Sequence, residues 1–549
     1  MLFNESKIID SKINNAIKIG VIGLASSILL SACGNKNAEN NKTISWQESS
    51  NMITLDSSKV NDTISAGTMN NSNEGLLVGS SDNKVIPGVA KNYHVSSDGK
   101  IYTFNLRHSK WSNGQPVTAK DFVYGWQRTL NPKTASQYSY IFNNVKNASQ
   151  VNTGKAPLSS LGIKANGKYK LTINLNKPQS YFKYLLTMTP FEPQNEQTVK
   201  KYGSAYGTNS NKMIYNGPFK VTGWTGVNDS WNLVKNNEYW NAKNIKLNKI
   251  KFVVEKDANT GLNEYQTGDL DKTSLVGAQQ VKQFAGTRDY HANKIGGTSY
   301  MEMNHAKNPM LRNINIRKAI SMSISRNQLA NHTLGDGSLP AKGIVTDNIG
   351  KHNGKSFADA SYVKSGVEYD THKAVKYWEK GMRQLGKKNA NFSLITDDTA
   401  NGKSTAEFIQ EAVEKLPGAS VSVQSIPKKS EIARSENGDF DFAIGGWFAD
   451  FPDPISFMSL FKTGAVYNFG KFSNTQYDKL LDKAESVDAN NGDKRWDDLV
   501  QAEKIIMNQQ GIVPLTYVVQ PMVIQPKVKN YELLPTGSPI NFRNTFVNK

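Results

Sequence analysis

The stretch at 392–446, FSLITDDTANGKSTAEFIQEAVEKLPGASVSVQSIPKKSEIARSENGDFDFAIGG, decides the fold class of this chain. Within it FSLIT (392–396), VSVQSI (421–426) and FDFAIGG (440–446) are short apolar runs, which is the pattern of strands. The two segments between these runs predict helices. Because strands that alternate with helices usually pair in parallel, we predict an α/β fold built around a parallel sheet.

The first of the two predicted helices carries the clearer signal. Ser404 and Glu407 have the spacing of a capping box, so we predict that they cap the start of the helix. Pro417 and Gly418 end it. A shorter helix is predicted near 429–435. The apolar stripe that would face the sheet contains Phe408, Ile409, Ala412, Val413 and Leu416.

The loop after the third strand, GGWFADFPDP (445–454), combines three aromatic with two acidic residues. Ligands of parallel sheets bind beyond the carboxyl ends of the strands, so Asp450 is predicted to offer a negative charge to a ligand. The glycines would allow another backbone to approach closely. Alternatively, Asp450 and Asp453 only shape a turn before proline, and the aromatic rings belong to the core. The pattern alone leaves both interpretations open.

The first third of the chain is rich in predicted strands. IYTFNLR (101–107) and YKLTINLN (169–176) alternate apolar and polar residues, which is the period of half-buried strands. Between them, Thr118 and Asp121 have capping-box spacing, so a helix is predicted to begin near Ala119. This organisation differs from that of the α/β stretch, as expected of a chain with several domains.

Length and charge narrow the class of protein. A chain of 549 residues is too long for one hydrophobic core, and we expect two or three domains. With 38% hydrophobic and 10% aromatic residues, most of it should fold. The formal net charge is +19, yet no run of lysine and arginine exceeds two residues. Such diffuse charge favours attraction to an anionic cell envelope over a nucleic-acid partner.

No motif for catalysis or metal binding is present in the sequence. The seven histidines include no pair at the spacing of a helical zinc site. The GKS triplets at 354–356 and 402–404 lack the glycine of a P-loop five positions earlier. No nucleophile elbow occurs either. We therefore predict no enzyme, no catalytic residue, no metal site and no cofactor.

The N-terminus has the features of an export signal. Three lysines precede the apolar run IGVIGLASSILLSAC (19–33), which is too short for a typical membrane span of about 20 residues. Its end, 30–33, resembles the lipobox of bacterial lipoproteins, so we predict a signal peptide at 1–32 and lipidation of Cys33. The alternative is a lone buried thiol. A polar, asparagine-rich tether (33–43) would follow. Removal of the signal, with three lysines and two acidic residues, leaves a charge of +18.

The segment PGVAKNYHVSSDGKIYTFNLRHSKWSNGQPVTAKDFVYGWQRTLNPKTASQYSY (87–140) resembles the oligopeptide-binding proteins of bacterial ABC importers. The resemblance covers roughly residues 53–534. Its 101–130 block is specific to this superfamily but does not by itself separate peptide binders from binders of nickel, sugars or pheromones. Further matching segments, in chain order, are MIYNGPFKVTGW (213–224), EYQTGDLD (264–271), NPMLRNINIRKAISMSISRNQL (308–329) and GWFADFPDP (446–454).

The resemblance implies an architecture like that of periplasmic binding proteins. Two α/β lobes would be joined by a hinge of two strands, and an extra domain would be inserted in the first lobe. The lobes would close over the ligand by a hinge motion. The implied boundaries are 44–72, 211–302 and 513–549 for the first lobe, 73–210 for the extra domain and 303–512 for the second lobe.

The resemblance also implies ligand-binding residues. In peptide-binding members, the aspartate of a Trp-x-x-Asp segment pairs with the α-ammonium group of the ligand, and Trp447 and Asp450 match that segment. Backbone groups of Gly446 to Phe448 would pair with the peptide as an added strand. Tyr517 lies where family members place aromatic pocket residues, with core packing as the alternative.

Two further positions bear on the site. Trp111 lies in the most family-like segment, and we expect a structural role for it. Some members that favour very short peptides place an arginine three residues before the tryptophan, where it helps to hold the ligand's C-terminal carboxylate. Ile444 occupies that position here and cannot pair with a carboxylate. The substitution also suits ordinary core packing.

The leading hypothesis is a lipid-anchored solute-binding protein that captures oligopeptides and delivers them to the permease subunits of an ABC importer. We expect a monomer on the outer face of the cell membrane of a Gram-positive bacterium, anchored through Cys33. One alternative is a receptor for signalling peptides (pheromones) with the same fold. A basic surface adhesin is another, and steep salt dependence without a saturable peptide site would favour it.

A substitution at Cys33 tests the predicted anchor. Because Cys33 is the only cysteine in the chain, Cys33→Ser should release the protein into the medium or leave it as an uncleaved precursor. Cell fractionation followed by mass spectrometry distinguishes these products. A fully processed protein that stays with the membrane fraction would contradict the prediction.

Overall fold

The computed structural model describes residues 42–80, 84–536 and 540–548. The predicted signal peptide, Cys33 and almost all of the predicted tether therefore lie outside the described residues. Within the described ranges, no helix is both long and apolar enough to cross a membrane.

The strands are short except for two that exceed ten residues. In chain order they are β1 (Thr43–Glu48), β2 (Leu77–Gly79), β3 (Val85–Pro87), β4 (Ala90–Val95), β5 (Ile101–Leu106), β6 (Ile163–Ala165), β7 (Lys170–Asn174), β8 (Phe219–Thr222), β9 (Ser230–Lys235), β10 (Lys249–Val254), β11 (Lys272–Ser274), β12 (Tyr290–Met303), β13 (Leu339–Pro340), β14 (Lys351–His352), β15 (Lys355–Ser356), β16 (Ala390–Asp397), β17 (Ala419–Ile426), β18 (Phe442–Phe448), β19 (Val513–Ile524), β20 (Val528–Lys529), β21 (Glu532–Leu533), β22 (Ile540–Asn541) and β23 (Phe546–Val547).

The longer helices lie in the second half of the chain. In chain order the α-helices are α1 (Thr63–Ser72), α2 (Ala119–Leu130), α3 (Ala148–Asn152), α4 (Phe182–Leu185), α5 (Glu196–Tyr202), α6 (Ala258–Thr267), α7 (Gly277–Phe284), α8 (Ile314–Ser323), α9 (Arg326–Gln328), α10 (Phe357–Ala360), α11 (Lys364–Val367), α12 (Thr371–Leu385), α13 (Ala400–Glu414), α14 (Lys428–Glu436), α15 (Ile455–Met458), α16 (Thr475–Ala484) and α17 (Gly492–Asn508).

One sheet of eleven described strands runs through both lobes. Its order is β17-β16-β18-β12-β19-β11-β1-β10-β9-β8, with β13 beside β19. The strands β12 and β19 pair in antiparallel fashion and pass from one lobe to the other. Their register shifts between Lys294 and Thr298 and again between Ser299 and Tyr300. These two strands form the hinge of the two-lobed α/β fold, as predicted.

The α/β stretch that decides the fold class folds as predicted. The central strand β16 pairs in parallel with β17 along its whole length and with β18 through Leu394 and Ile395. The helices α13 and α14 make the two crossovers. Burial of Phe392 and Leu394 between the sheet and its helices explains why this run is so apolar.

The predicted cap of the first crossover helix is wrong by five residues, because the cap is Thr399 and not Ser404. The helix α13 begins at Ala400, and the side chain of Thr399 caps it by accepting the backbone N–H of Gly402. Ser404 therefore lies inside the helix. The apolar stripe was predicted correctly, because its residues Ile409 and Val413 are fully buried on the inner face of α13.

The extra domain is built on a smaller antiparallel sheet, β4-β5-β7-β6. The strands predicted at 101–107 and 169–176 are β5 and β7, and they pair with each other. The predicted helix α2 begins at Ala119, where the Asp121 carboxylate accepts the backbone N–H of Thr118 at 2.7 Å. Trp111 is 2% exposed in the core of this domain, which fits the structural role expected for it.

Several separate hydrophobic cores stabilise the molecule. One combines residues from 44–69, 199–252 and 522–542, and a second lies within 76–191. Two further cores lie within 300–515. Residues near 199–206 pack in the core that also contains residues 44–69 and 522–542, rather than in the core of the extra domain. The domain boundaries predicted from the sequence stay predictions.

A buried ion pair ties α2 of the extra domain to the first lobe. Both terminal nitrogens of Arg128 donate to the Asp56 carboxylate at 2.6 Å, and Asp56 is 2% exposed. We expect Asp56→Ala to lower the free energy of unfolding by about 3–5 kcal/mol, because the guanidinium stays buried without its partner. Urea denaturation measures the change.

The matched control is an exposed pair. Glu411 and Lys415 lie 2.8 Å apart on the surface of α13, and both side chains are exposed. Glu411→Gln should leave the urea midpoint unchanged, since exposed pairs contribute little. Equal midpoints for Asp56→Ala and the native protein would show that the Asp56–Arg128 pair does not hold the two parts together.

Candidate functional site

The strand β18 leads the aromatic, acidic loop to the edge of the sheet. On one side it pairs with β12 over its whole length, from Phe442 to Phe448. On the other side β16 pairs only with Phe442 and Ala443. The backbone from Ile444 to Phe448 therefore has one edge without a ladder partner among the described residues. This edge has the geometry that an added strand requires.

A cavity of about 540 Å³ lies where the second lobe faces the extra domain. One wall comes from the loop after β18 and the segment that follows it, and the other from three segments within 140–185. The described lining residues are Tyr140, Ile141, Asn143, Asn144, Asn176, Lys177, Gln179, Tyr181, Leu185, Trp447, Asp450, Phe451, Ser456, Ser459, Leu460, Ala465 and Tyr467.

Asp450 is the acidic residue among those that line the cavity. Its backbone N–H donates to Ser456 Oγ at 3.1 Å, which fixes the turn, whereas its carboxylate has no cationic partner among the described residues. Burial raises the pKa of Asp450 to about 6. Burial, together with the nearby Asp450 carboxylate, also raises the pKa of Tyr138 to about 12. Asp450 is thus a partly desolvated negative charge without compensation.

The neighbouring acid, Asp453, has the opposite environment. Its two carboxylate oxygens accept from Arg495 at 2.8 and 2.9 Å, and one of them also accepts the backbone N–H of Ile455. Asp453 therefore shapes the turn before α15 and is neutralised by a buried partner. Asp453 therefore fits the interpretation that the acids of this loop shape a turn. Asp450 lines the cavity, so the interpretation that it offers a charge to a ligand stays a prediction for this residue.

Aromatic rings form much of the cavity wall. Trp447 lies 5.0 Å from the ring of Tyr467, and Phe451 stacks on Tyr181 at 4.7 Å. Both Trp447 and Phe451 also pack against the core of the second lobe. Trp447 and Phe451 therefore line the cavity and also pack against the core. The basic residue among the described lining residues is Lys177, which is exposed to solvent.

Other predicted site residues lie away from the cavity lining. The ring of Phe448 is 57% exposed and lies against Gly297, where a Cβ atom would be 2.5 Å from it. Gly446 pairs with Ser299 of β12 and is exposed on the outer side of the strand. Both residues contribute backbone rather than side chains to the free edge of β18.

Tyr517 is buried in the hinge strand β19. Its hydroxyl accepts from the backbone N–H of Gly343 at 3.1 Å and donates to the carbonyl of Val345 at 2.9 Å. The ring is 4% exposed and is absent from the cavity lining. Tyr517 therefore packs here as a core residue that holds the 343–345 segment. Its contact with a ligand stays a prediction.

Ile444 is a core residue as well. It is 7% exposed, lies opposite Met301 in the ladder and packs in a core of the second lobe. An aliphatic side chain at this position is explained by packing. The Ile444 side chain itself carries no positive charge that could hold a carboxylate.

The cavity wall that the extra domain contributes could not be predicted from the sequence. Tyr140, Asn144 and Tyr181 belong to irregular segments or to the ends of very short helices, so no hydrophobic period marks them. A partial signal exists in the residue types, because this wall is rich in asparagine, glutamine and tyrosine. Such residues combine hydrogen-bonding groups with apolar contact area.

Similar proteins of known function or structure match nearly the whole chain. A dipeptide-binding protein of Lactococcus lactis subsp. cremoris is 34% identical over 548 residues, which cover 96% of this chain and 99% of that protein. The structure of Listeria monocytogenes OppA bound to peptide aligns with a TM-score of 0.76 at 34% identity, covering 93% of this chain and 99% of that one. The pheromone receptor PrgZ aligns with a TM-score of 0.76 at 33% identity, covering 93% and 100%.

The family assignment rests on a match that spans most of the chain. The pattern described as bacterial extracellular solute-binding proteins, family 5 middle, matches residues 84–469. That range includes most of the extra domain, the hinge strand β12 and the loop that carries Asp450. The chain belongs to family 5 of the bacterial extracellular solute-binding proteins.

Proposed function

We propose that this protein captures oligopeptides between its second lobe and its extra domain and delivers them to an ABC importer. The observation that carries the proposal is the Asp450 carboxylate, which is partly buried in a cavity and has no cation beside it among the described residues. A buried charge is costly unless it is paired. The α-ammonium group that every free peptide carries supplies the pair whatever the peptide's sequence.

The remaining features of the site fit a ligand of variable sequence. The free edge of Ile444 to Phe448 supports main-chain hydrogen bonds that do not depend on side chains. The cavity walls are largely apolar, with amide and hydroxyl groups from residues such as Asn144 and Ser456. Rings such as those of Trp447 and Tyr467 accept varied side chains without a fixed hydrogen-bond pattern.

The cellular setting belongs to the same proposal. Lipidation at Cys33 would hold the folded body at the outer face of the membrane, within reach of permease subunits. We propose a monomer in a Gram-positive envelope, without a catalytic role, metal or cofactor. The similarity to peptide-binding proteins supports the peptide partner.

A receptor for signalling peptides is the second candidate, supported by the similarity to PrgZ. Both functions use the same cleft, so selectivity distinguishes them. Mass spectrometry of peptides that co-purify with the protein tests this directly. A broad mixture of sequences supports import of nutrient peptides, and a single sequence supports signalling. A protein that holds no peptide and binds anionic polymers in a steeply salt-dependent manner would instead support the adhesin.

Removal of the charge on Asp450 should weaken peptide binding strongly. Loss of one partner of a buried charge pair costs roughly 2–5 kcal/mol, so we expect Asp450→Asn to weaken binding at least about 30-fold. N-acetylation of the peptide should do comparable harm to the native protein. Isothermal titration calorimetry measures both effects.

The control for this experiment is an acid outside the cavity. Asp439 lies on the surface beside Lys307 and Arg434, so Asp439→Asn should leave the affinity unchanged. Equal affinity of the native protein for free and acetylated peptides would refute the pairing of Asp450 with the ammonium group.

The affinity should depend on pH with a defined sign. Burial raises the pKa of Asp450 to about 6, and a bound ammonium group would lower it, because an opposite charge favours the ionised form. Binding therefore releases a proton below pH 6, and the affinity should fall about tenfold for each pH unit below that value. Above about pH 8 the peptide's amino group loses its own charge and the affinity should fall again.

Calorimetry between pH 4.5 and about 9 gives this profile. The acid limb should be absent in Asp450→Asn, which has nothing to titrate at this position, and the alkaline limb should flatten as well, because no carboxylate then raises the pKa of the bound ammonium group. A native affinity that stays constant between pH 7 and 5 would contradict the raised pKa and the role of this carboxylate.

A further inference from the structure

Tyr181 lies at the contact between the extra domain and the second lobe. It immediately precedes α4 in the extra domain, and its ring packs against the core of that domain and against a core of the second lobe. Phe451, which follows Asp450, packs against the same two cores from the other side. These two residues therefore join two cores that are otherwise separate.

The contacts of Tyr181 with the second lobe are specific. Its ring is parallel to that of Phe451, with 4.7 Å between centroids and 2° between planes. Its hydroxyl donates to Glu485 Oε1 at 3.0 Å. The guanidinium carbon of Arg495, which holds Asp453, lies 5.9 Å from the ring centre. The Tyr181 side chain is thus held to the second lobe both by ring stacking and by a hydrogen bond.

A second contact joins the same two bodies. The side-chain amide of Asn490 donates to the carbonyl of Asp98, in the turn between β4 and β5, at 3.2 Å. Gly99 in this turn has a φ of +70°, and a Cβ atom there would lie 2.6 Å from Asn490 Oδ1. The close approach confirms that the extra domain and the second lobe are in direct contact in this conformation. Opening of the cleft about β12 and β19 must break both contacts.

We propose that Tyr181 is a positioning residue that holds the cleft closed and sets the lifetime of the bound peptide. This inference rests on the proposed function, because it assigns the control of release to the same cavity. Tyr181 lines that cavity, and its partner Phe451 is adjacent to Asp450. Separation of the two rings would free the loop that carries Asp450 and would admit water to its carboxylate.

The first experiment measures rates. Tyr181→Phe keeps the ring and removes the hydroxyl, so the dissociation rate of a fluorescent peptide should rise about tenfold, the lower end for a hydrogen bond to a charged group. Tyr181→Ala should raise it further. The association rate should change less than about threefold, since interface changes act mainly on dissociation. Tyr169→Phe, at a half-buried tyrosine of the extra domain that lies outside the cavity lining, is the control and should leave both rates unchanged.

A double substitution separates this role from a general loss of stability. If Tyr181 acts through Glu485, then Tyr181→Phe combined with Glu485→Ala should dissociate no faster than Glu485→Ala alone. Additive effects of the two substitutions would contradict the proposed hydrogen bond. Thermal unfolding of the peptide-free variants checks that Tyr181→Phe is folded.

The second experiment does not require a peptide. Lys133 is exposed on the extra domain and Lys479 is exposed on α16. Dyes attached at Lys133→Cys and Lys479→Cys, in a Cys33→Ser background, report the distance across the cleft. Energy transfer should decrease in Tyr181→Ala relative to the protein that retains Tyr181. Unchanged energy transfer in Tyr181→Ala, or unchanged dissociation in Tyr181→Phe, would overturn the inference. If no peptide binds the native protein, the proposed function fails, and the dyes still test the closure.

Discussion

The antiparallel ladder between β12 and β19 is the constraint on which the two-lobed architecture depends. Each strand has a second neighbour, β18 beside β12 and β11 beside β19, so the ladder joins the sheets of both lobes into one. The lobes therefore cannot move as independent bodies. We expect a change in their angle to be absorbed mainly at the longer of the two irregularities in the ladder, between Lys294 and Thr298. Gly296 and Gly297 lie in that interval, and their lack of side chains lets neighbouring groups approach closely.

The loop after β18 shows how a charge is held ready without being neutralised. Asp453 is fixed by Arg495, and Phe451 is fixed by the ring of Tyr181, so the backbone on the far side of Asp450 is rigid. Ala449 is tied to the hinge by a hydrogen bond to Gly296. Asp450 is therefore positioned by its neighbours and not by a partner of its own. Preorganisation of this kind reduces the ordering that a ligand must impose.

The sequence predicted those parts of the structure that are encoded locally. The parallel strands at 392–446 follow from apolar runs and turn residues. The start of α13 was misplaced because Thr399 and Ser404 both have hydroxyls suited to capping. The choice depends on packing, since Gly402 lies directly against the end of β16 at Asp397. Local spacing contains no such information.

The candidate site was predicted on one side only. Asp450 and Trp447 follow a strand whose ligand edge could be inferred, and the resemblance supplied their roles. The opposite wall, from Tyr140 to Leu185, meets them through contacts such as Tyr181–Glu485, between residues about three hundred positions apart. No hydrophobic periodicity or sequence motif specifies a contact between residues so far apart in the chain. The order of the strands in the large sheet has a related consequence for folding. The strand β19 lies between β12 and β11 in the sheet, yet it follows both of them in the chain by a long stretch that contains the α/β part of the second lobe. The first lobe therefore cannot complete its sheet until β19 has been synthesised, whereas β16, β17 and β18 of the second lobe can pair earlier from one continuous segment. A chain of this topology should form the α/β sheet of its second lobe first and acquire the hinge later.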